Sequence, residues 1–232
     1  MYREVILDTE TTGLDPASGD RIIEIGAVEL VNHLPTGRTF HVYINPEREI
    51  SPEAEAVHGI SSAFLRDKPV FAAVAKEFLT FVSDSVLVIH NAAFDIAFLN
   101  AELAFVGLGP IPSERVVDTL FLARQKHPGG SNSLDALCRR YGVDNSKRTK
   151  HGALLDSELL AEVYLELIGG RQTVLVLETR SVRTVGTPTS LSQLSLIRTT
   201  PLTPRLTEDE KEAHRAFVAE IGDRAIWREL LG

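Results

Sequence analysis

The stretch SVLVIHNA, residues 85–92, is apolar through its centre and polar at both ends. A short run without alternation fits a strand covered on both faces, as in the middle of an α/β sheet. Residues 3–8 (REVILD) form a second short apolar strand. Residues 21–32 (RIIEIGAVELVN) alternate in part and 38–46 (RTFHVYINP) alternate as well, with TGR just before supplying the turn between them. Helical spacing then appears at 70–82, 94–107, 133–142 and 152–170, and 115–124 reads as a strand running into a helix. Three strands followed by strands alternating with helices predict an α/β fold, a mixed sheet with helices on its faces.

At 232 residues the chain has room for one good-sized domain and an appendage. No apolar run approaches the roughly 18 residues that a membrane span needs, and MYREVILD passes at once into a strand pattern rather than an apolar leader. A cytoplasmic location is expected. Cys138 is the single cysteine, which excludes an internal disulfide framework; its apolar helical setting predicts a small buried hydrophobe. After Gly170 the composition shifts to Thr, Ser, Arg, Leu and Pro without helical period, so 171–206 is read as a flexible linker. From Thr207, with Glu210 at capping-box spacing, an apolar stripe through Ala213, Phe217 and Ile221 predicts a short helical tail over 207–232. The tail is too small for a core of its own, and either packs back on the domain or docks on a partner.

A net charge of −8 constrains the chemistry. A protein that held nucleic acid through phosphates alone would be basic. If this chain acts on DNA or RNA, bound cations must offset its carboxylates.

Candidate carboxylates occur at three places. In ILDTETTGLDP, Asp8 and Glu10 stand two apart after an apolar strand, so they face the same way. Like charges side by side are costly, and a hard divalent cation removes that cost. One Asp-x-Glu is expected by chance in a chain of this length, and Asp156–Glu158 is another, so the pair alone is weak. In IHNAAFDIAFLN, Asp95 lies near a helix start, where it either complements the helix dipole or serves a site. In HGALLDSELLAEVY, Asp156 sits among leucines, where a carboxylate needs a partner, and His151 precedes the helix as a cap or as a base. Histidine is the side chain suited to taking a proton from water near neutral pH. Four carboxylates and a histidine fit two-metal hydrolysis of a phosphodiester.

DTETTGLD, VIHNAAFD and HGALLDSELLAEVY, in this order and spacing, resemble the three motifs of the DEDDh family of 3′–5′ exonucleases. IIEIGAVELVN, FHVYINPER, PEAEAVHGI, NSLDALCRRYGVDNSKRT and AEVYLELIGG extend the resemblance to the proofreading subunits of bacterial replicative DNA polymerases, over about residues 3–170. The resemblance implies a ribonuclease-H-like five-stranded mixed sheet flanked by helices, with 1–170 as the exonuclease domain. It implies Asp8, Glu10, Asp95 and Asp156 as ligands of two divalent cations, Mg²⁺ or Mn²⁺, and His151 as general base. It places Glu53 and His58 on the terminal nucleotide, and Thr11, Thr12, Val57 and Phe94 around its pocket; plain core packing for Val57 and Phe94, and a solvated loop for Glu53 and His58, are the readings without it.

The implied substrate is the 3′ end of single-stranded or frayed primer DNA, removed where it is misincorporated. Residues 207–232 would bind the polymerase (alpha) subunit, and tethering would make up for an acidic surface that holds DNA weakly. QTVLVL (172–177) and QLSLI (193–197) are alternative sliding-clamp motifs. The resemblance leaves open a small third core subunit. A stand-alone RNA exonuclease would share the catalytic positions but gain little from the linker and tail, and a silent adaptor would not need all five filled.

Overall fold

The computed structural model describes residues 2–146, 148, 150–169 and 207–221. The chain forms two compact units, Met1–Leu177 and Glu178–Gly232. The first contains a five-stranded sheet in the order β3-β2-β1-β4-β5. Its strands are β1 (Arg3–Thr11), β2 (Ile22–Val31), β3 (Leu34–Tyr43), β4 (Val86–Ile89) and β5 (Val116–Asp118). The β1–β2 and β2–β3 pairs are antiparallel, and β1–β4 and β4–β5 are parallel, so the sheet is mixed as expected.

Helices cover both faces. α1 (Pro52–His58), α2 (Ser62–Leu65), α3 (Phe71–Val82) and α4 (Ala92–Phe105) precede β5 or lead to it, and α5 (Thr119–Lys126), α6 (Leu134–Tyr141) and α7 (Ala153–Leu167) follow it. Val5 and Leu7 of β1 pack with Phe40, Phe78 and Phe98 on the α3–α4 face. Ile6 and Val88 pack with Leu137, Leu160 and Val163 on the α6–α7 face. Alternate residues of β1 thus feed opposite cores, which is why its apolar run is unbroken. Cys138 is fully buried in the second core, as a small hydrophobe should be.

The hairpin between β2 and β3 differs from the expected one. The turn is Asn32-His33, with φ of 50° and 64°, and not TGR, which lies inside β3. A two-residue loop with both φ values positive matches the right-handed twist of the flanking strands, and asparagine tolerates that conformation better than most residues. β1 also runs on through Glu10 to Thr11, so both carboxylates belong to the strand itself. The segment SPEAEAVHGI forms helix α1. Ser51 accepts a hydrogen bond from Ala54 N (3.1 Å), Pro52 occupies the first turn, and Gly59 closes the helix at φ 74°.

In the second unit, α8 (Glu208–Ile221) begins with the expected reciprocal cap. Glu210 N donates to Thr207 Oγ1 (3.3 Å), and Thr207 N donates back to Glu210 Oε2 (2.8 Å). No residue of α8 is buried, and Phe217 and Ile221 stand exposed. Both clamp-motif candidates, all of the expected linker 171–206 and residues 222–232 of the tail lie outside the described residues. Among the described residues no helix is long and apolar enough to cross a membrane.

Candidate active site

Asp8 and Glu10 lie on the β1 face that α7 covers, and their cross-strand partners on β2 are Gly26 and Glu24. Gly26 sets how closely α7 can approach. A Cβ at this position would lie 2.1 Å from Leu154 N and 2.2 Å from the Ala153 carbonyl carbon, a clash with backbone that has no flexible end to yield. Ser157 Oγ donates to the Gly26 carbonyl at 2.9 Å and pins the same turn of α7. The first turn of α7 is thereby pressed onto the sheet beside Asp8, and Asp156 comes with it.

Asp95 reaches the same place from α4. Asn91 adopts a left-handed conformation at the N-cap (φ 65°, ψ 50°) and turns the chain from β4 into α4. Its N–H donates to Asp118 Oδ1 (3.1 Å), so Asn91 here shapes the chain. Asp95 Oδ1 then accepts from both Thr9 N (3.0 Å) and Thr9 Oγ1 (2.7 Å), which ties α4 to β1 between the two strand carboxylates.

His151 stands exposed just before α7, with Nδ1 3.2 Å from Asp156 Oδ2. Its N–H donates to the Val57 carbonyl (3.4 Å), joining the loop before α7 to helix α1. Ligand atoms of Glu10, His151 and Asp156 all lie within 4.8 Å of one another. Asp8, Asp156 and His151 open on a cleft of about 810 Å³ that continues past His90, Arg124 and Asn132.

The electrostatics are those of an acid cluster short of positive charge. Burial pushes Glu10 up to about 8, reinforced by the Glu24 carboxylate opposite and by Asp156 and Asp95. Burial also raises Asp95 to about 7, against the opposing pull of the Thr9 hydrogen bonds. Asp8 is raised well above the ordinary carboxyl range, first by desolvation and then by Asp95, Glu10 and Asp156. Asp156 is the exception: burial pushes it up, but bonds from His151 and Arg148 outweigh that and hold it below its ordinary value. Glu10 Oε1 is buried with no hydrogen-bond partner among the described residues. Carboxylates massed with an orphaned oxygen are a donor set suited to hard divalent cations, so these residues fit such a group.

The proposed nucleotide contacts are not among the residues that line this cleft. Glu53 is exposed on α1, Val57 is 49% exposed, and His58 is buried, with burial holding its imidazole below the usual range. An exposed valine is not a core residue, and His58 lies in helix α1 and not on a solvated loop. Phe94 is half-buried and packs on Phe98 at 4.9 Å between ring centroids. Thr11 and Thr12 are buried, and their hydroxyls bond Gly13 O (2.6 Å) and Asp20 Oδ1 (3.0 Å).

Two charged groups at the site escaped the sequence reading. Glu24 is buried opposite Glu10 and held by His41 Nε2 at 2.7 Å; its only sequence signal was the strand register. Arg148 lies in the loop before α7 with its side chain 7% exposed, bonded to Asp156. The signal there was a cation three residues before His151 in an otherwise acidic chain.

Residues 5–164 match the sequence model of a family described as Exonuclease. The chain belongs to the exonuclease family. It is 50% identical to the DNA polymerase III subunit epsilon of Rickettsia felis over 222 residues, 94% of this chain and 96% of the relative. It is 46% identical to the Escherichia coli protein of that name over 243 aligned positions, 98% of each. Among solved structures, exonuclease X in complex with 5′ overhanging duplex DNA is similar at 28% identity and a TM-score of 0.55, over 72% of this chain and 92% of that one. The nuclease domain of 3′hExo, a DEDDh family member bound to rAMP, shares the fold at a TM-score of 0.63 and 22% identity, over 72% of this chain and 91% of that one. The family places the chain among 3′–5′ exonucleases that use divalent metal ions.

Proposed function

We propose that this chain is the proofreading subunit of a bacterial DNA polymerase III, a 3′–5′ exonuclease that removes misincorporated nucleotides from the primer end in the cytoplasm. The observation that carries the chemistry is the convergence of Glu10, Asp156 and His151, whose ligand atoms lie within 4.8 Å of one another, with the charges of Asp8 and Asp95 acting on them and with Asp8, Asp156 and His151 lining one cleft. Asp8, Glu10, Asp95 and Asp156 would hold two divalent cations, Mg²⁺ or Mn²⁺. Bound there, the cations supply an activated water and charge neutralisation at the leaving oxygen.

The chain's own residues do the rest. His151 takes the proton of the attacking water, and its exposure at the cleft mouth lets it pass that proton to solvent. The Asp156 carboxylate, 3.2 Å from Nδ1, orients the ring. Glu53 and His58 bind the terminal nucleotide, with Thr11, Thr12, Val57 and Phe94 around its base and sugar. The backbone bond between His151 and Val57 couples that pocket to the base, so a seated nucleotide and a placed histidine go together.

The tail 207–232 docks on the polymerase alpha subunit. The exposed stripe of Phe217 and Ile221 on α8 supports this, since an apolar face left in water fits a partner. One of 172–177 and 193–197 binds the sliding clamp; alanine at Gln172 and at Gln193, tested separately for clamp binding, identifies which. A truncation after Gly169 is expected to lose co-purification with the polymerase, and full-affinity capture would refute the tail assignment.

The function is tested on 3′-mismatched and 3′-matched DNA primers with Mg²⁺ or chelator. Metal-dependent removal from the 3′ end, faster for the mismatch, is the expected result. Preference for RNA ends over both DNA primers would instead favour a stand-alone RNA exonuclease.

A further inference from the structure

Arg148 has no part in the chemistry described above, yet every nitrogen of its guanidinium is committed at the acid cluster. Nε and Nη2 donate to the two oxygens of Asp156 at 2.5 and 2.7 Å, a bidentate pair. Nη1 donates to Asp135 Oδ1 at 2.7 Å, and Nη2 lies 2.7 Å from His151 Nδ1. Asp135 is in turn held by Asn145 Nδ2 at 3.0 Å. With the side chain 7% exposed, this is a built, desolvated contact and not a surface ion pair.

The partner it grips is the carboxylate that the proposed mechanism assigns to a cation. Both oxygens of Asp156 are engaged, while Glu10 Oε1 nearby has no partner among the described residues. The positive charge also lowers Asp8 and Glu10 against the push of their burial.

We propose that Arg148 is the resident cation of the acid cluster: it holds Asp156 in place before metal arrives and competes with divalent ions for that carboxylate. Arg148 thereby keeps mutually repelling carboxylates folded in the metal-free protein and sets the concentration at which the site loads. Asp135 gives the displaced guanidinium a second carboxylate to remain on. This inference rests on the assignment of Asp156 as a metal ligand.

The test is Mn²⁺ binding to the full-length protein, followed by electron paramagnetic resonance of the free ion, with thermal melting in chelator and in Mn²⁺. Arg148→Gln is expected to bind Mn²⁺ roughly 10-fold or more tightly than wild type, the scale of one lost charge-assisted competitor. It is also expected to melt lower than wild type in chelator and to gain more from added Mn²⁺. Arg148→Lys, which keeps the charge without the bidentate fork, should lie between them. An Arg148→Gln protein folded only with Mn²⁺ is the extreme of the predicted stability loss, and Arg148→Lys then supplies the affinity comparison. Affinity equal to or weaker than wild type in the folded variant overturns the proposal. Failure of wild type to bind Mn²⁺, or equal binding by Asp156→Asn, overturns the metal site itself.

Discussion

Strand β1 carries acidic residues at both ends of one face, and the two ends are solved differently. Glu4, at the start, is fully buried, with Tyr164 Oη donating to its Oε1 at 2.6 Å; His33 Nδ1 lies 2.8 Å from Oε2, within ion-pair range but without a hydrogen bond. Burial and the Glu4 carboxylate push the Tyr164 hydroxyl up, so it stays protonated and donating. Glu10, six residues on along the same face, meets Glu24, Asp156 and Asp95. Other buried glutamates follow the Glu4 pattern: Arg21 bonds Glu102 at 2.7 Å through each of two nitrogens, and Arg3 bonds Glu29 at 2.5 Å. A buried carboxylate given donors is architecture. One given other carboxylates requires a cation from outside the chain or an arginine borrowed from within it.

Substitutions at the two ends should therefore have opposite signatures. Asp8→Ala is expected to lower exonuclease activity by roughly 10³-fold or more, the scale on which charge-stabilising groups act, with melting in chelator unchanged or raised because a repelling charge is gone. Robust activity of purified Asp8→Ala would break the comparison. His151→Gln should reduce turnover by about 10²–10⁴-fold, as for loss of a general base, while Mn²⁺ affinity changes little; equal loss of both makes His151 a ligand or a structural residue. Glu4→Gln should do the reverse of Asp8→Ala. It leaves activity intact and costs about 1–3 kcal/mol of stability by disturbing a buried hydrogen-bonded group, read by denaturant unfolding.

A further expected effect is the pH dependence of the metal-free protein. Glu10 and Asp95 are raised to about 8 and about 7 when folded, so the folded state binds more protons than the unfolded one above their ordinary values. Stability in chelator should fall as pH rises from about 5 to about 8. Saturating Mg²⁺ should flatten that slope, since ions then replace the protons. A melting temperature in chelator that rises over the same range would contradict the raised carboxyls.

The sheet is legible because strand burial writes itself into composition: VIL and VLVI are apolar throughout, and β4 (Val86–Ile89) falls inside the run read at 85–92. The β2–β3 turn was misplaced because Gly37 is the more obvious turn residue, whereas Asn32-His33 reaches positive φ without glycine. Helix α1 was missed because its residues Glu53, Glu55, Ala56 and Val57 are exposed and carry no apolar stripe. The five proposed site residues are legible as motifs, while Glu24 and Arg148 act through register and a loop fold that spacing does not encode. No sequence pattern announces that Gly26 must be glycine; only the backbone of Ala153 and Leu154 against it does.

The most direct measurement of the central claim is anomalous diffraction from crystals of the protein soaked in Mn²⁺. The account predicts two Mn²⁺ peaks roughly 4 Å apart, bounded by Asp8, Glu10, Asp95 and Asp156, with Arg148 withdrawn from Asp156. No ion among these carboxylates at saturating Mn²⁺ would contradict it.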